Sequence, residues 1–141
     1  MKRSASAVWT GDLKSGKGTI STESGVLSGT PYSFKTRFEQ GTGTNPEELI
    51  GAAHAGCFSM ALSVELQMAG LVAERIATKA EVTLEQKPDG FALTAIHLTL
   101  DAKVPGASQS AFDQAVQAAK TGCPVSKLFR ADITLDAKLE A

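Results

Sequence analysis

The sequence predicts a single α+β domain in which antiparallel strands surround a buried helix. The first third is rich in Thr, Ser and Gly and contains short alternating runs, which are typical of strands joined by glycine turns. The run from 49 to 64 contains no charged residue, which is typical of a helix in a deep interior. A chain of 141 residues suits one domain with its own core. Because strands and helices alternate too irregularly for a doubly wound sheet, the α+β class is favoured.

Three strands are predicted near the N-terminus, at residues 6–10, 18–22 and 31–38. In the third run aromatic side chains alternate with polar ones, which indicates one apolar and one polar face. Arg37 falls on the polar face, where it is either an ordinary solvated side chain or a functional one.

A long helix is predicted to begin at Asn45, which can cap free amides, with Pro46 in the first helical position. Glu47 and Glu48 follow in the first turn, where carboxylates are favoured electrostatically, and Glu48 stands at the capping-box position. A structural role for both carboxylates is one interpretation. The helix is expected to stop at Gly70 and is too short and alanine-rich for a comfortable membrane span.

This helix is apolar on every side, so one small domain has difficulty covering it. Its many small residues would let another helix approach closely; they are Gly51, Ala52, Ala53, Ala55 and Gly56. The pattern therefore predicts an intimate homodimer.

The second half predicts a hairpin, two helices and a closing strand. The hairpin strands are 76–86 and 91–102, with the turn at 87–90. The remaining elements are a helix at 108–120, a shorter helix that Cys123 and Pro124 open, and a closing strand at 131–139.

Composition excludes several classes of protein. Acidic and basic residues nearly cancel (15 against 14), so neither a nucleic acid nor an anionic membrane is predicted as a partner. The N-terminus lacks the apolar stretch of a secretory signal. Two cysteines are too few for a disulfide scaffold, so we expect a cytoplasmic protein in which any disulfide is transient.

The two cysteines are candidates for chemistry. Cys57 lies in the apolar helix, where it is either a small core hydrophobe or a reactive thiol. Cys123 precedes a helix start, where free amides and the helix dipole stabilise a thiolate, although it could also be a simple cap. The two lie 66 positions apart, so they form no Cys-x-x-Cys motif. If they meet in space, they form a redox couple.

A metal site is not predicted. His54 and Cys57 are spaced as a helical pair, but a zinc site needs three or four ligands and the chain has few candidates. His54 is expected to be a buried, hydrogen-bonded histidine, and His97 a surface residue.

Two segments carry a family resemblance. The segment 43–62, GTNPEELIGAAHAGCFSMAL, closely resembles the first cysteine motif of the OsmC/Ohr family of organic hydroperoxide peroxidases, and 121–126, TGCPVS, resembles the second. The segments 9–12 and 34–39 favour the OsmC (osmotically inducible) branch over the Ohr branch. The likeness covers essentially the whole chain.

The resemblance implies an OsmC-like fold in an intertwined homodimer with its two active sites at the subunit interface. By position Cys57 matches the cysteine that attacks peroxide and Cys123 the one that resolves it. Arg37 matches the arginine of the pocket and Glu47 its carboxylate partner, while Glu48 and His54 are secondary candidates.

The implied reaction reduces organic hydroperoxides through a Cys57 sulfenic acid and a Cys57–Cys123 disulfide. An external dithiol, which the family likeness suggests is a lipoylated protein, would restore the thiols, and no cofactor is required. Osmotic and oxidative stress responses are the implied setting. A redox or stress sensor with the same disulfide is the alternative, and a binding module with inert cysteines a weaker one.

Overall fold

The structure, a computed structural model, describes residues 1–129 of the chain. These residues form two compact units, which are described separately. The first comprises Met1–Ala52 and Glu81–His97, and the second comprises Ala53–Ala80 and the residues from Leu98 onward. The closing strand predicted at 131–139 lies outside the described residues, and the single-domain assignment stays a prediction.

The first unit contains a three-stranded antiparallel sheet formed by β1 (Ala5–Thr10), β2 (Lys17–Thr22) and β3 (Thr30–Tyr32) in that order. Gly18 pairs with Trp9 on one side and Tyr32 on the other. A side chain at Gly18 would collide with both rings, whose centroids are 5.4 Å apart. The glycine therefore permits the aromatic pair to close over the middle strand.

The predicted third strand is wrong beyond Tyr32, because helix α1 (Phe34–Phe38) follows it. Ser33 caps this helix: its hydroxyl accepts from the Thr36 amide, and the Thr36 hydroxyl accepts from the Ser33 amide. This reciprocal capping box satisfies two free donors and starts a helix. Arg37 therefore lies on a helix and not on the polar face of a strand.

Helix α2 (Pro46–Met68) begins as predicted, since the Asn45 side chain accepts from the Glu48 amide at 2.8 Å. Gly70, with a φ of 76°, follows its end. Within the chain, however, only one face of α2 is buried. That face repeats at the three- and four-residue spacing of a helix and carries His54, Phe58, Leu62 and Leu66.

The predicted hairpin is confirmed as β4 (Arg75–Lys87) and β5 (Gly90–Lys103), which pair in a two-stranded sheet. Helices α3 (Gln109–Gly122) and α4 (Pro124–Leu128) follow it, with Cys123 between them. In the second unit α3 packs against the buried face of α2. The core there consists of Phe58, Leu62, Leu66, Ala115, Ala119 and Cys123.

Candidate active site

The two cysteines meet in the core of the second unit. Their sulfur atoms are joined by a hydrogen bond 2.9 Å long, and both cysteines are free. Cys57 comes from the middle of α2, and Cys123 from the junction of α3 and α4. Leu62 of α2 and Ala119 of α3, both fully buried in the same core, hold these elements together. Packing thus closes a separation of 66 residues.

The two sulfurs differ in access to solvent. Cys123 is fully buried, with 0% of its surface exposed, whereas Cys57 is partly accessible. A reagent that arrives from solvent therefore reaches Cys57 first.

The two thiols also differ in acidity. Burial, and next its hydrogen bond with Cys123, raises the pKa of Cys57. Burial acts in the same sense on Cys123, but hydrogen bonds from Cys57, from the amide and hydroxyl of Ser126 and from the Val125 amide lower its pKa. These last donors lie at the start of α4, where helix amides favour a thiolate. The pair therefore holds one proton between two close sulfurs and titrates as a unit.

His54 lies on the same buried face of α2, three residues before Cys57. Its side chain is 7% exposed, and its Nε2 atom lies 2.9 Å from the Ser126 hydroxyl. Its Nδ1 atom has no hydrogen-bond partner among residues 1–129. Burial lowers the pKa of His54, so the ring is neutral at pH 7. His54 thus has the character expected of a buried, hydrogen-bonded histidine.

Arg37 and Glu47 form an ion pair in the first unit. The Nε and Nη2 atoms of Arg37 both donate to Oε1 of Glu47, at 3.0 and 2.9 Å, so one carboxylate oxygen receives both bonds. Arg37 is 36% exposed and Glu47 13%. Glu48 is exposed, and its amide receives the Asn45 cap. Between the two carboxylates, the pair is therefore made by Glu47.

Sequence reasoning missed two side chains at these places. Ser126 bonds His54 across 72 positions, a contact with no local signal, although the third residue after a helix cap is where donors face the cap. Phe91 contacts Phe38 at a centroid distance of 5.2 Å, and Phe38 contacts Phe34 at 4.9 Å. An aromatic row therefore lies beside Arg37, whose guanidinium is 5.4 Å from the Phe38 ring.

Metal ligands are not grouped in the described part of the chain. No cluster of three or more His, Cys, Asp or Glu side chains suited to a metal ion occurs among residues 1–129. His97 is exposed, as expected.

Comparison with known proteins identifies the family. The model of the OsmC family, described as OsmC-like protein, matches residues 39–138. Peroxiredoxin OsmC of Escherichia coli K12 is 57% identical over 135 residues, which cover 96% of this chain and 94% of that protein. Organic hydroperoxide resistance protein OhrB of Bacillus subtilis 168 is 30% identical over 124 residues, covering 87% and 88%. The chain therefore belongs to the OsmC family.

Solved structures agree with this assignment. The crystal structure of Bacillus subtilis OhrB matches with a TM-score of 0.65 and 26% identity, covering 92% of each chain. An OsmC-like protein from Mycoplasma pneumoniae matches with a TM-score of 0.71 over 92% of this chain and 88% of that one; at 15% identity it shows the fold alone. With these relatives, the chain is a thiol-based peroxidase.

Proposed function

We propose that this peroxidase reduces organic hydroperoxides to alcohols, with Cys57 as the attacking sulfur and Cys123 as the resolving one. The observation that carries the proposal is the pair of free sulfurs 2.9 Å apart, of which Cys57 is accessible and Cys123 buried. Substrate from solvent meets Cys57, while Cys123 is positioned to react with what Cys57 becomes.

Attack requires a thiolate at Cys57, although its surroundings favour the thiol. Transfer of the shared proton from Cys57 to Cys123 supplies that thiolate without releasing a proton to solvent. Arg37 is the proposed stabiliser of the Cys57 thiolate and of the oxygen that departs from peroxide. Glu47 would fix the guanidinium through its two hydrogen bonds. The family likeness supports these two roles.

The reaction balances in two steps. The Cys57 thiolate attacks a peroxide oxygen, the O–O bond breaks, and the departing alkoxide takes a proton to give the alcohol and a Cys57 sulfenic acid. The Cys123 sulfur then attacks the sulfenic sulfur, the S–O bond breaks, and the hydroxide leaves as water with the proton of Cys123. The two cysteines thus supply the two electrons. An external dithiol, proposed to be a lipoylated protein, returns them by thiol–disulfide exchange.

The aromatic row supports an organic substrate. Phe91 is 57% exposed and contacts Phe38, which lies next to Arg37 in sequence and under its guanidinium. An apolar surface beside a cation suits a molecule with a hydrocarbon body and a polar peroxide end. Two relatives are likewise named for resistance to organic hydroperoxides.

A second copy of the chain is the proposed cover for the exposed face of α2. The 23-residue helix is long and apolar enough to cross a membrane, with a mean hydropathy of 1.4, but the core helix of a soluble protein has the same properties. One face of α2 already packs against α3, which fits a core helix. We therefore propose a soluble cytoplasmic homodimer.

The test is an equimolar pulse of cumene hydroperoxide followed by intact-mass analysis and peptide mapping. The wild-type chain should lose two hydrogens and yield a Cys57–Cys123 peptide pair. Peroxide consumed while both cysteines stay free would contradict the mechanism. Repeated turnover with a dithiol separates a peroxidase from a redox sensor, which need not cycle quickly.

Two variants assign the roles. Cys57→Ser should consume no peroxide. Cys123→Ser should consume one equivalent and stop with Cys57 as a sulfenic acid, which dimedone traps. If Cys57→Ser retained the wild-type rate, the roles would be assigned wrongly.

A further inference from the structure

A buried polar chain leads from His54 to the sulfur of Cys123. Nε2 of His54 lies 2.9 Å from Oγ of Ser126, and the amide and hydroxyl of Ser126 face the Cys123 sulfur from the start of α4. The disulfide chemistry described above uses neither residue. Polar groups as deeply buried as His54 cost free energy unless they are partnered, so the arrangement calls for an explanation.

We propose that His54 and Ser126 are positioning residues that hold Cys123 as the nucleophile for disulfide closure, with Nε2–H of His54 donating to Ser126 and Oγ–H of Ser126 donating to the Cys123 sulfur. The inference rests on the proposed function and extends it to the resolving step.

The unpartnered Nδ1 atom fixes the direction of this donor chain. A neutral imidazole has one N–H and one lone pair, and Nδ1 of His54 has no partner among residues 1–129. An orphaned buried N–H is rarer in proteins than an under-used acceptor, so the lone pair belongs on Nδ1 and the hydrogen on Nε2. The Ser126 oxygen then accepts from His54, and its own hydrogen is available to the sulfur.

The other groups around Cys123 do not supply this effect. Cys57 faces it from α2, while β4 and β5 contribute the apolar side chains of Ile76 and Leu98 to the same core. The charged residues nearest in sequence on α3 and α4, Lys120 and Lys127, are exposed. Hydrogen bonding to a thiolate lowers the pKa of Cys123, in the direction that the structure shows.

The donor chain acts at closure and at reopening. At closure the Cys123 thiolate attacks the sulfenic sulfur of Cys57, and the S–O bond breaks to release hydroxide, which leaves as water. At reopening, when a dithiol attacks Cys57, the S–S bond breaks and Cys123 departs with the electron pair. A lower pKa of the departing thiol speeds this step, so the same two donors assist both directions.

The experiment measures closure alone. One equivalent of cumene hydroperoxide is mixed with reduced protein in a quench-flow apparatus, and disulfide formation is followed across a pH series. Ser126→Ala and His54→Leu break the chain. Ser126→Thr keeps the hydroxyl, and His54→Gln keeps an N–H donor. Ser59→Ala is the matched control, because it removes a hydroxyl bonded to Thr78 at 2.7 Å on the same helix.

At neutral pH, closure in Ser126→Ala and His54→Leu should be about tenfold slower than in wild type, which corresponds to about one pKa unit at Cys123. The rates should converge at high pH, where Cys123 ionises without help; a purely structural defect would not show this convergence. Ser126→Thr and His54→Gln should recover most of the rate, and Ser59→Ala should match wild type.

Unchanged closure rates and pH profiles in both broken variants, with a normal wild-type disulfide, would overturn the inference and leave the proposed function intact. A wild-type chain that forms no disulfide would remove both. The variants act at opposite ends of the chain, and thermal unfolding reports whether each is folded. If one does not fold, the other decides.

Discussion

At the scale of single residues, access and acidity divide the work between the two cysteines. Cys57 is reachable but holds its proton, while Cys123 has the lower pKa but is sealed from solvent. A thiolate that substrate cannot reach is harmless to other oxidants, yet it can take the proton of its neighbour 2.9 Å away. Arg37 is the group proposed to tip that balance towards a Cys57 thiolate.

Arg37→Met should slow peroxide reduction about 100-fold or more, the scale of a lost oxyanion donor, and should raise the pKa of Cys57. Stability should change little, because exposed ion pairs contribute about 1 kcal/mol or less. Arg37→Lys should recover only part of the rate, since one ammonium replaces two fixed donors to Glu47. Stopped-flow kinetics with cumene hydroperoxide and thermal unfolding measure both properties.

Arg75→Met is the control for this comparison, because Arg75 forms an exposed ion pair with Asp101 at 2.9 Å. It should react at the wild-type rate. A rate within about twofold of wild type in Arg37→Met would return Arg37 to the ordinary surface arginines, since a charge lost at the reacting centre costs far more.

His54 should make stability depend on pH. Because burial lowers its folded pKa below 6.5, the unfolded chain binds a proton between the two pKa values and the folded chain does not. The free energy of unfolding should therefore fall as pH drops through 6.5 and level off below the folded pKa. Urea unfolding over this range should show a flatter profile in His54→Gln, whereas His97→Gln, at an exposed position, should follow wild type. Parallel profiles for His54→Gln and wild type would contradict the burial argument.

At the scale of elements, most of the fold could be predicted from local patterns. The Asn45 cap, the hairpin turn before Gly90 and the start of α4 at Pro124 were each signalled by short-range chemistry. The strand beyond Tyr32 failed because Phe34 and Phe38 fit both periods: they share a strand face and also lie one helical turn apart. The Ser33 capping box, which alternation does not report, decides for the helix.

The candidate site followed the same division. Cys57 and Cys123 stood out by residue type, but their contact depends on how α2 packs against α3, which local patterns do not fix. The partner of His54 was beyond prediction for the same reason, since Ser126 lies 72 positions away.

Ser33→Ala tests the element that carries Arg37. Loss of an N-cap costs about 1 kcal/mol, and it should loosen α1 and lower the peroxidase rate. Ser108→Ala is the matched control, since the Ser108 hydroxyl caps α3 by accepting from the Ala111 amide at 3.1 Å. Both variants should lose similar stability in urea unfolding, but only Ser33→Ala should react more slowly. Equal rates in the two variants would show that α1 does not hold Arg37 for the reaction.

At the scale of the whole molecule, one face of α2 is left for a partner. Opposite the buried face, a stripe repeats at helical spacing and is exposed in the single chain: Met60 is 74% exposed, Val64 53% and Met68 70%. Ala53 and Gly56 extend the stripe with small residues that permit close approach. The sequence predicted a helix buried on all sides, and the chain alone buries one. A second copy would account for the rest.

The protein should therefore be a dimer, and Val64→Glu should disrupt it. Light scattering of the wild type at micromolar concentration should give twice the 14.7 kDa of one chain. A carboxylate at Val64 would lose its hydration inside an interface, which is costly without a partner, so this variant should shift towards the monomer mass and unfold at lower temperature. Val26→Glu places the same charge at a position that is 85% exposed and should remain dimeric and as stable as wild type. A wild-type chain that is monomeric and stably folded would contradict the dimer, and a dimeric Val64→Glu would place the interface on another surface.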